Sequence, residues 1–378
     1  MRINNILNLL LIGCRIFIGL VFMFSGFVKG IDPLGTTYKL IDYFNAFNLG
    51  FLEPLSLAFS ILLNMSEFLL GVGLVFGVFQ RFFIWMVSVY MLVFTPLTFI
   101  LAIYNPVTDC GCFGDAIVMT NWQTFFKNLV IVAILFPVFL NRNKLISSLG
   151  LKKQWVITGV AITGFLFISA QTYHHLPYID FRPYKTGTFI PDAMTIPEGM
   201  PTDSFTYSVM YKKGDQLREF ALEDIASIDS TWQWVETKSK LVRRGYHPPI
   251  HDFYFTNNEG ENITDSILHN SSYVFLAISH KLNKANMKGL EKLKTNFDFS
   301  RQHNYNFYLA TASISEEIDF CTSKYQLPFH FYAADDIMLK TIVRSNPGLV
   351  LIKDGTIIKK WHHNDFPNKE ELQQLTSN

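Results

Sequence analysis

Residues 6–28 read ILNLLLIGCRIFIGLVFMFSGFV, an apolar run long enough to cross a bilayer as one helix. A membrane helix needs about 20 mostly apolar residues. The run continues well past the lipoprotein-like box that ends at Cys14, so we expect a membrane helix rather than a cleaved signal peptide. Five stretches in all satisfy the length condition: Ile6–Val28, Leu52–Phe79, Phe82–Tyr104, Trp122–Leu140 and Trp155–Tyr173. The sequence therefore predicts a bundle of five membrane helices.

Composition divides the 378-residue chain into two parts. Hydrophobic residues make up 49% of it, and their excess lies before residue 175. The net charge of +1 gives no reason to expect a nucleic-acid partner. We predict a four-helix membrane domain over 1–145, a fifth membrane helix over 146–174, a linker and accessory region over 175–240, and a soluble domain over 241–378.

Basic residues in the short loops indicate the orientation of the helices. Arg2, Arg81 and the basic segment 142–153 lie at alternate helix ends. Because cytoplasmic loops are enriched in Lys and Arg, loops 29–51 and 105–121 are expected on the outer side, together with the C-terminal region. In a bacterium that side is the periplasm, where disulfides persist. We expect a multi-pass inner-membrane protein with a periplasmic C-terminal domain.

Strand-like and helical stretches alternate in the C-terminal part. This alternation, closed by a hairpin around Asp354-Gly355, is typical of a small α/β domain. The predicted strands are Tyr273–Ser279, Phe307–Thr311, Leu349–Lys353 and Thr356–Trp361, and the predicted helices are Lys284–Phe297 and Glu316–Tyr325.

The strongest chemical signal is a loop that reads Asp109-Cys110-Gly111-Cys112-Phe113-Gly114-Asp115. Glycine relaxes the backbone so that two cysteines one residue apart can approach each other. The loop precedes a helix whose N-terminus favours a thiolate. Because strained, exposed disulfides are the labile ones, we predict a redox-active pair. The alternative is a structural disulfide that braces the loop. Metal binding is not expected, since zinc takes four ligands.

Polar and charged residues also interrupt the apolar helices, namely Arg15, Glu67, Lys127 and Asn128. Charges in a bilayer are costly and usually face the bundle interior in pairs. We predict that Arg15 pairs with Glu67, either as a structural pair or as part of a ligand site. Lys127 has the alternative of reaching the outer interface. Further residues expected to line the same outer cavity close the first helix: Ser25, Gly26, Lys29 and Gly30.

The remaining candidate ligands are histidines and two single cysteines. The histidines form three close pairs, His174/His175, His247/His251 and His362/His363. None of these pairs has a metal-ligand spacing with further ligands, so no metal site is predicted. Cys14 and Cys321 are expected to be packed thiols.

The membrane motifs resemble those of the MauE/DoxX family of redox-associated membrane proteins. They are the run from Arg15 to Pro33, Glu67 with Gly71, the loop 109–115, and Lys127-Asn128. The resemblance covers about residues 6–140 and implies a four-helix membrane bundle. It also implies thiol redox chemistry, with quinone as a proposed acceptor. On it we place Cys110 and Cys112 as catalytic residues, and Arg15, Glu67, Lys127 and Asn128 as cofactor-binding residues.

The soluble part resembles thioredoxin-like domains of the thiol-reductase and peroxiredoxin kind. The segment around Pro249–Phe253 is similar to their opening strand and turn, and Pro347 is placed as their cis proline. The position of Cys-x-x-Cys is instead occupied by Ser279-His280-Lys281-Leu282, which contains no cysteine. Thiol exchange needs a thiolate, so we expect a docking module without chemistry of its own. The whole arrangement resembles DoxX-type proteins of Bacteroidetes.

Two functions of different classes remain open from the sequence. The first is a membrane thiol–disulfide relay in which Cys110 and Cys112 exchange electrons with a quinone and with a periplasmic protein partner. The second is a non-enzymatic anchor or assembly subunit of an envelope complex, with a structural disulfide. Transport through the bundle is disfavoured because no inverted repeat is visible.

Overall fold

The N-terminal part of the computed structural model is a bundle of long apolar helices. The structure describes residues 2–107, 110–145, 147, 149–214, 216–227, 231–243 and 245–377. Within these ranges five helices are long and apolar enough to cross a membrane, which confirms the prediction. They are α1 (Arg2–Gly30), α3 (Ser56–Phe76), α4 (Gln80–Tyr104), α5 (Asn121–Leu140) and α6 (Leu151–His174).

A shorter helix that we did not predict, α2 (Pro33–Ala46), lies in the loop between the first two spans. Asp32 caps it, because the side chain accepts a hydrogen bond from the backbone nitrogen of Gly35 at 3.1 Å. Pro33 occupies its first position, where a missing N–H costs nothing. The segment 29–51, predicted as a loop, is therefore largely helical and lies at one end of the bundle.

Close packing of α1 against α3 forms the centre of the bundle. A Cβ atom on Gly71 would lie 2.2 Å from the backbone nitrogen of Met23, and one on Gly26 would lie 2.4 Å from that of Phe68. Small residues allow membrane helices this approach. The fifth membrane helix, α6, packs on the outside of α1 and α3. There Ser169 donates a hydrogen bond to the carbonyl of Gly30 at 2.9 Å. The buried core of the bundle includes Ile18, Phe22, Leu74, Ile84, Val87, Ile131 and Leu135.

The C-terminal part is built on a six-stranded mixed sheet, as expected for an α/β domain. Its strand order is β4-β7-β6-β5-β8-β9, with β5, β6 and β7 parallel and the other strands antiparallel to their neighbours. The strands are β4 (Phe255–Thr256), β5 (Tyr273–Ile278), β6 (Asn306–Thr311), β7 (Phe331–Ala334), β8 (Gly348–Lys353) and β9 (Thr356–His362). The helices are α7 (Ile190–Met194), α8 (Thr264–Leu268), α9 (Met287–Gln302), α10 (Ser315–Tyr325), α11 (Asp336–Ile342) and α12 (Lys369–Thr376).

The sheet agrees with the sequence prediction where hydrophobic patterning is strong. Strand β5 is buried at every position, and β8 and β9 form the hairpin around Asp354-Gly355. Both turn residues have positive φ, 45° and 70°, a conformation that glycine adopts readily. The short elements β4, β7, α8 and α11 were not predicted. The peptide bond between Asn346 and Pro347 is cis, as predicted.

The region predicted as linker and accessory segment contains a second, smaller sheet. Its three antiparallel strands are β1 (Ser204–Lys213), β2 (Gln216–Ala221) and β3 (Gln233–Arg243), in the order β2-β1-β3. Most of its side chains are exposed, including Trp234, whose exposed fraction is 62%. This sheet stands apart from the two hydrophobic clusters of the α/β domain.

The α/β domain rests on the end of the bundle at which α1 ends. Arg344 pairs with Asp32 at 2.9 Å, and Lys284 pairs with Glu53 at 2.9 Å. At the opposite end of the bundle, Arg81 donates to the carbonyl of Asn143 at 3.3 Å. The basic loop residues therefore lie at the end away from the α/β domain.

Candidate functional site

A cavity of about 550 Å³ lies between the α/β domain and the end of the bundle. Its walls come from α1, α2, α3, α4, α5, the loop before α5, the segment after α6, and α11. The part inside the bundle is largely apolar, with Phe22, Met91, Phe94, Leu97 and Ile131. Polar and charged side chains gather where the cavity meets the cysteine loop. This combination of an apolar wall with a few polar groups is typical of a small-molecule site.

The loop between α4 and α5 brings Cys110 and Cys112 to the cavity wall. Their sulfur atoms lie 2.8 Å apart and share a hydrogen bond, and both thiols are free. Gly111 has a φ of +65°, which lets the chain turn back so sharply. Asp109, part of the motif in the sequence, lies outside the described residues.

Two hydroxyl groups of the bundle hold this loop by its backbone. Ser25 donates to the carbonyl of Cys112 at 2.6 Å, and Tyr43 donates to the carbonyl of Cys110 at 3.2 Å. The first hydroxyl belongs to α1 and the second to α2. The unpredicted helix α2 therefore helps to position the cysteine pair.

The two thiols differ in acidity. The hydrogen bond from Cys110 lowers the pKa of Cys112 to about 7, against burial, with help from the charges of Lys127 and Lys29. The same hydrogen bond, together with burial, raises the pKa of Cys110. Cys112 is therefore the thiol that ionises first, and a thiolate is the reactive form of cysteine.

The predicted pair between Arg15 and Glu67 is wrong. Glu67 instead pairs with Lys29 at 2.5 Å and accepts hydrogen bonds from Ser25, at 2.7 Å, and from Tyr90. Ser25 and Lys29 are four residues apart and share one face of α1, which α3 meets at Glu67. Glu67 is thus a buried carboxylate on the cavity wall, surrounded by three donors.

Arg15 lies away from the cavity, at the other end of the bundle. Ten residues of helix separate it from Ser25, a distance of about 15 Å. Its guanidinium lies beside Gly77 and the side chain of Gln80, whose amide accepts from it in the orientation that satisfies both groups. The placement of Arg15 as a cofactor-binding residue therefore does not agree with the geometry.

Lys127 and Asn128 both line the cavity from α5. The ammonium of Lys127 lies 4.6 Å from the ring centre of Phe113, directly after Cys112 in the chain. In the part of the chain that the structure describes, no carboxylate pairs with Lys127. Asn128 is buried and donates to the hydroxyl of Thr98 at 3.1 Å. Lys127 thus faces the site rather than the outer interface.

Of the residues expected from the end of the first helix, two line the cavity and two do not. Ser25 and Lys29 line it. Gly26 packs against the backbone of α3 instead, and Gly30 packs against the ring of Phe165.

The α/β domain closes the outer side of the cavity through Arg344. Its guanidinium, buried between the two parts, pairs with Asp32 at 2.9 Å and with Asp115 of the cysteine loop at 3.0 Å. It also lies over the ring of Tyr38 on α2, at 5.4 Å. Burial raises the pKa of Asp115, against the charge of Arg344, which lowers it. One side chain thus joins the domain, α2 and the cysteine loop, an arrangement we call the Arg344 clamp.

The segment after β5, which lacks cysteine, also faces the membrane part. Ser279 donates to the side-chain oxygen of Asn346 at 2.8 Å, and His280 lies 3.2 Å from a carboxylate oxygen of Asp336. The ring of His280 makes an edge contact with Tyr38 at 6.3 Å. Cys321 is buried in the domain core, as expected.

The paired histidines have other partners. His175 contacts Asp365 at 2.7 Å, and His247 lies 3.2 Å from Asp203. Among the described residues, no three His, Cys, Asp or Glu side chains are arranged to hold a metal ion.

Sequence reasoning gave no role to several residues of the site, although Asp32 and Asp115 stand within its motifs. Tyr90, Tyr43, Asp32, Asp115 and Arg344 all line the cavity. A phenol in the middle of an apolar helix was a usable signal for Tyr90, because a buried Tyr hydroxyl usually finds a partner. No local pattern marks Arg344, since its partners lie more than 200 residues away.

Comparison with known proteins gives two matches. Residues 7–140 match the family model described as methylamine utilisation protein MauE. Residues 205–244, a range that includes β2, β3 and nearly all of β1, match a domain of unknown function, DUF8463. No curated protein matches the chain.

Proposed function

We propose that the protein is a membrane component of thiol–disulfide redox chemistry, on the basis of the match of residues 7–140 to the family model described as methylamine utilisation protein MauE. In this proposal Cys110 and Cys112 cycle between dithiol and disulfide. The observation that carries it is the free cysteine pair on the wall of a cavity that also holds the ammonium of Lys127, which has no carboxylate partner among the described residues. A thiol beside a cation in a ligand-sized cavity is suited to exchange rather than to bracing a loop.

We propose a quinone as the electron acceptor. The cavity volume of about 550 Å³ and its apolar wall inside the bundle fit a flat, amphipathic ring that enters from lipid. Lys127 and Asn128 on α5 and Glu67 on α3 are the polar groups that orient its oxygens. A bound quinone takes up two electrons and two protons. The cysteine pair supplies both electrons when one S–S bond forms.

The α/β domain is proposed to be a thioredoxin-like docking module. A β-α-β unit (β5, α9, β6) followed by a β-hairpin and a helix (β8, β9, α12), with cis Pro347 before β8, supports that relationship. The segment from Ser279 to Lys284 contains no cysteine, so the domain has no thiol for exchange at that place. Its role is to present a protein partner and to cover the cavity through the Arg344 clamp.

We propose that the protein lies in a bacterial inner membrane with the cysteine pair and the α/β domain in the periplasm. The basic residues Arg81, Arg142 and Lys144 lie at the opposite end of the bundle, which the positive-inside rule assigns to the cytoplasm. The oxidising periplasm suits a pair that returns to the disulfide.

The test uses the 378-residue chain in lipid nanodiscs with a soluble quinone analogue and a dithiol peptide. Cys112→Ser is expected to abolish quinone-dependent oxidation of the peptide, because no S–S bond can form. The matched control is Cys14→Ser, which changes a half-buried thiol in α1, away from the cysteine loop. This variant is expected to keep the activity. Wild-type activity in Cys112→Ser would sink the proposal.

The second candidate function is a membrane anchor of an envelope complex, in which the pair forms a permanent disulfide. The hydrogen bonds from Ser25 and Tyr43 favour it, because they hold the loop in one conformation with the two sulfur atoms close together. Trapping of free thiols in growing cells separates the two functions. A pair that is reduced in part of the molecules supports the relay, and a pair that is always oxidised supports the anchor.

A further inference from the structure

The cavity beside the cysteine pair is polar at one end and apolar at the other. Its polar end holds the two thiols, Lys127 and Glu67. Away from that end its wall consists of aromatic and aliphatic side chains, which come from α2, the turn after α2, α3 and α4. They are Phe44, Phe47, Leu49, Leu63, Phe94 and Leu97, and we call this part of the wall the lateral mouth. A ligand that matches both ends has a polar head and an apolar tail.

The lateral mouth lies where α3 and α4 separate. The hydrogen bond from Tyr90 to Glu67 joins the two helices at the middle of the bundle. From there to the outer end, no hydrogen bond or ring contact joins α3 to α4 among the described residues. In this stretch Leu63 of α3 and Leu97 of α4 line the cavity and are only partly buried. The space between the two helices is therefore a side entrance to the cavity.

Polar contacts with other helices explain why α4 leaves α3. Asn128 of α5 donates to Thr98 of α4 at 3.1 Å, and Asn121 of α5 donates to the side chain of Asn105 at 2.9 Å. Such hydrogen bonds between membrane helices hold α4 against α5 up to its outer end.

Helix α3 is held on the opposite side of the cavity. Ser60 donates to the carbonyl of Pro33 at 2.8 Å, and the ring of Phe59 contacts that of Phe44 on α2 at 6.2 Å. The two walls of the lateral mouth are thus fixed by different neighbours, so the mouth belongs to the fold of the bundle.

Bilayer and water reach the cavity from different sides. The lateral mouth lies between two membrane-spanning helices, and its side chains are as apolar as the hydrocarbon outside. The side towards water is covered by the α/β domain, where Arg344 pairs with Asp32 and Asp115. A molecule dissolved in the bilayer can enter through the mouth without burying polar groups, whereas a molecule in water has to pass the buried clamp.

We propose that the electron acceptor of the cysteine pair is a long-tailed lipid that enters the cavity from the bilayer through the lateral mouth. This inference rests on the proposed function, and it narrows the quinone to one with an apolar tail. The polar head lies beside Cys112 and Lys127, and the tail passes between Leu63 and Leu97. A cavity of about 550 Å³ holds a ligand of drug size, so the rest of a long tail stays in the lipid.

Photo-cross-linking locates the tail without any need for turnover. The probe is a benzoquinone with an isoprenoid tail that carries a diazirine, added to the 378-residue chain in lipid nanodiscs. Mass spectrometry is expected to find the cross-links on the residues of the lateral mouth, and an excess of untailed quinone should remove them. Cross-links spread evenly over the lipid-facing helices, or concentrated in the groove beside Phe165 of α6, would overturn the inference.

A kinetic test narrows the mouth with a larger side chain. Leu97→Trp is expected to lower kcat/KM for the long-tailed quinone about tenfold, because the indole fills the space that the tail needs. The value for the untailed, water-soluble analogue should stay within about twofold of that of the wild type. The matched control is Leu92→Trp on the same helix. Leu92 is 74% exposed and lies five residues from Leu97, about 140° around α4, so this variant should change neither value.

The outcomes separate this inference from the proposed function. A wild-type chain that is inactive with both quinones overturns the proposed function, and the cross-links then still show whether the mouth binds the tail. Activity with both quinones and an equal loss in Leu97→Trp overturns the inference, because the tail then has no route of its own. An unchanged rate with the long-tailed quinone in that variant overturns it as well. Thermal melting shows whether each variant is folded, and the cross-links in the wild-type chain decide the question if Leu97→Trp is not.

Discussion

At the scale of single residues, the site depends on which charges are paired and which are not. Lys29 is matched by Glu67, so its charge is largely neutralised inside the bundle. Lys127 lies over an aromatic ring, without a carboxylate partner among the described residues. An unpaired cation in a desolvated cavity acts over a longer range than one in water. After the hydrogen bond from Cys110, the charge of Lys127 is the next contribution that lowers the pKa of Cys112, followed by that of Lys29.

Substitution of Lys127 by Met tests this charge. Removing a nearby cation raises a thiol pKa, so the pKa of Cys112 is expected to rise from about 7 by roughly one unit. Alkylation of Cys112 at neutral pH then slows, and full reactivity returns only at higher pH. Residue-specific mass spectrometry of alkylated peptides across a pH series measures the shift.

The control for this substitution is Lys144→Met, in the exposed loop after α5. It removes the same charge far from the site and should leave the pH midpoint unchanged. An unchanged midpoint in the Lys127 variant as well would show that the thiolate is stabilised from elsewhere.

At the scale of elements, the contact of α1 with α3 determines where the polar groups of these two helices lie. Ser60 of α3 donates to the carbonyl of Pro33 at 2.8 Å, just beyond the end of α1, so the two helices run antiparallel from that point. Glu67 lies seven residues further along α3, about 10 Å from Ser60. That distance places it opposite Ser25 and far short of Arg15. The glycines of the contact make this register possible.

Substitution of Gly71 by Ala tests the close contact of these helices. The new Cβ would meet backbone of Met23, which cannot move aside as a side chain can. Overpacking of this kind costs about 1–3 kcal/mol, more than alanine gains in helix propensity. We expect a lower melting temperature in detergent, measured by circular dichroism.

The matched change is Gly159→Ala in α6, where nothing lies within 4 Å of the new atom. Its expected effect is neutral or slightly stabilising, since alanine favours a helix over glycine. Equal effects of the two substitutions would contradict the close approach of α1 and α3.

At the scale of the whole molecule, the two parts form one site. The cavity has walls from the bundle and from the α/β domain, and Arg344 joins three segments around it. A further ion pair across the boundary, Lys284 with Glu53, is half exposed and should contribute about 1 kcal/mol or less. The buried clamp is therefore the contact that keeps the domain over the cysteine loop.

Substitution of Arg344 by Gln tests the clamp. Loss of one partner leaves Asp32 and Asp115 without their shared cation, and because Asp115 is partly exposed the cost should fall below the roughly 3–5 kcal/mol of a fully buried pair. The domain is expected to loosen, with faster hydrogen exchange in α2 and faster alkylation of the cysteine pair. Lys284→Gln, which breaks only the exposed pair, should change neither rate. Equal rates in the two variants would argue against a clamp.

The sequence by itself determined the five membrane helices, the α/β character of the C-terminal part, the cysteine pair and the cis proline. Each of these depends on local pattern, because helix length, strand burial and turn chemistry are properties of neighbouring residues. The sequence also identified Glu67, Lys127 and Asn128 as candidate site residues, since a polar side chain within an apolar span is conspicuous.

Only the tertiary structure decided the partners of those residues. Arg15 and Lys29 are both basic residues of one helix, and the packing register of α1 on α3 selects Lys29 as the partner of Glu67. Arg344 reaches Asp32 and Asp115 across a boundary that no sequence period describes. Pairing across long sequence separations depends on how whole elements pack, so the cavity and its clamp became visible only in three dimensions.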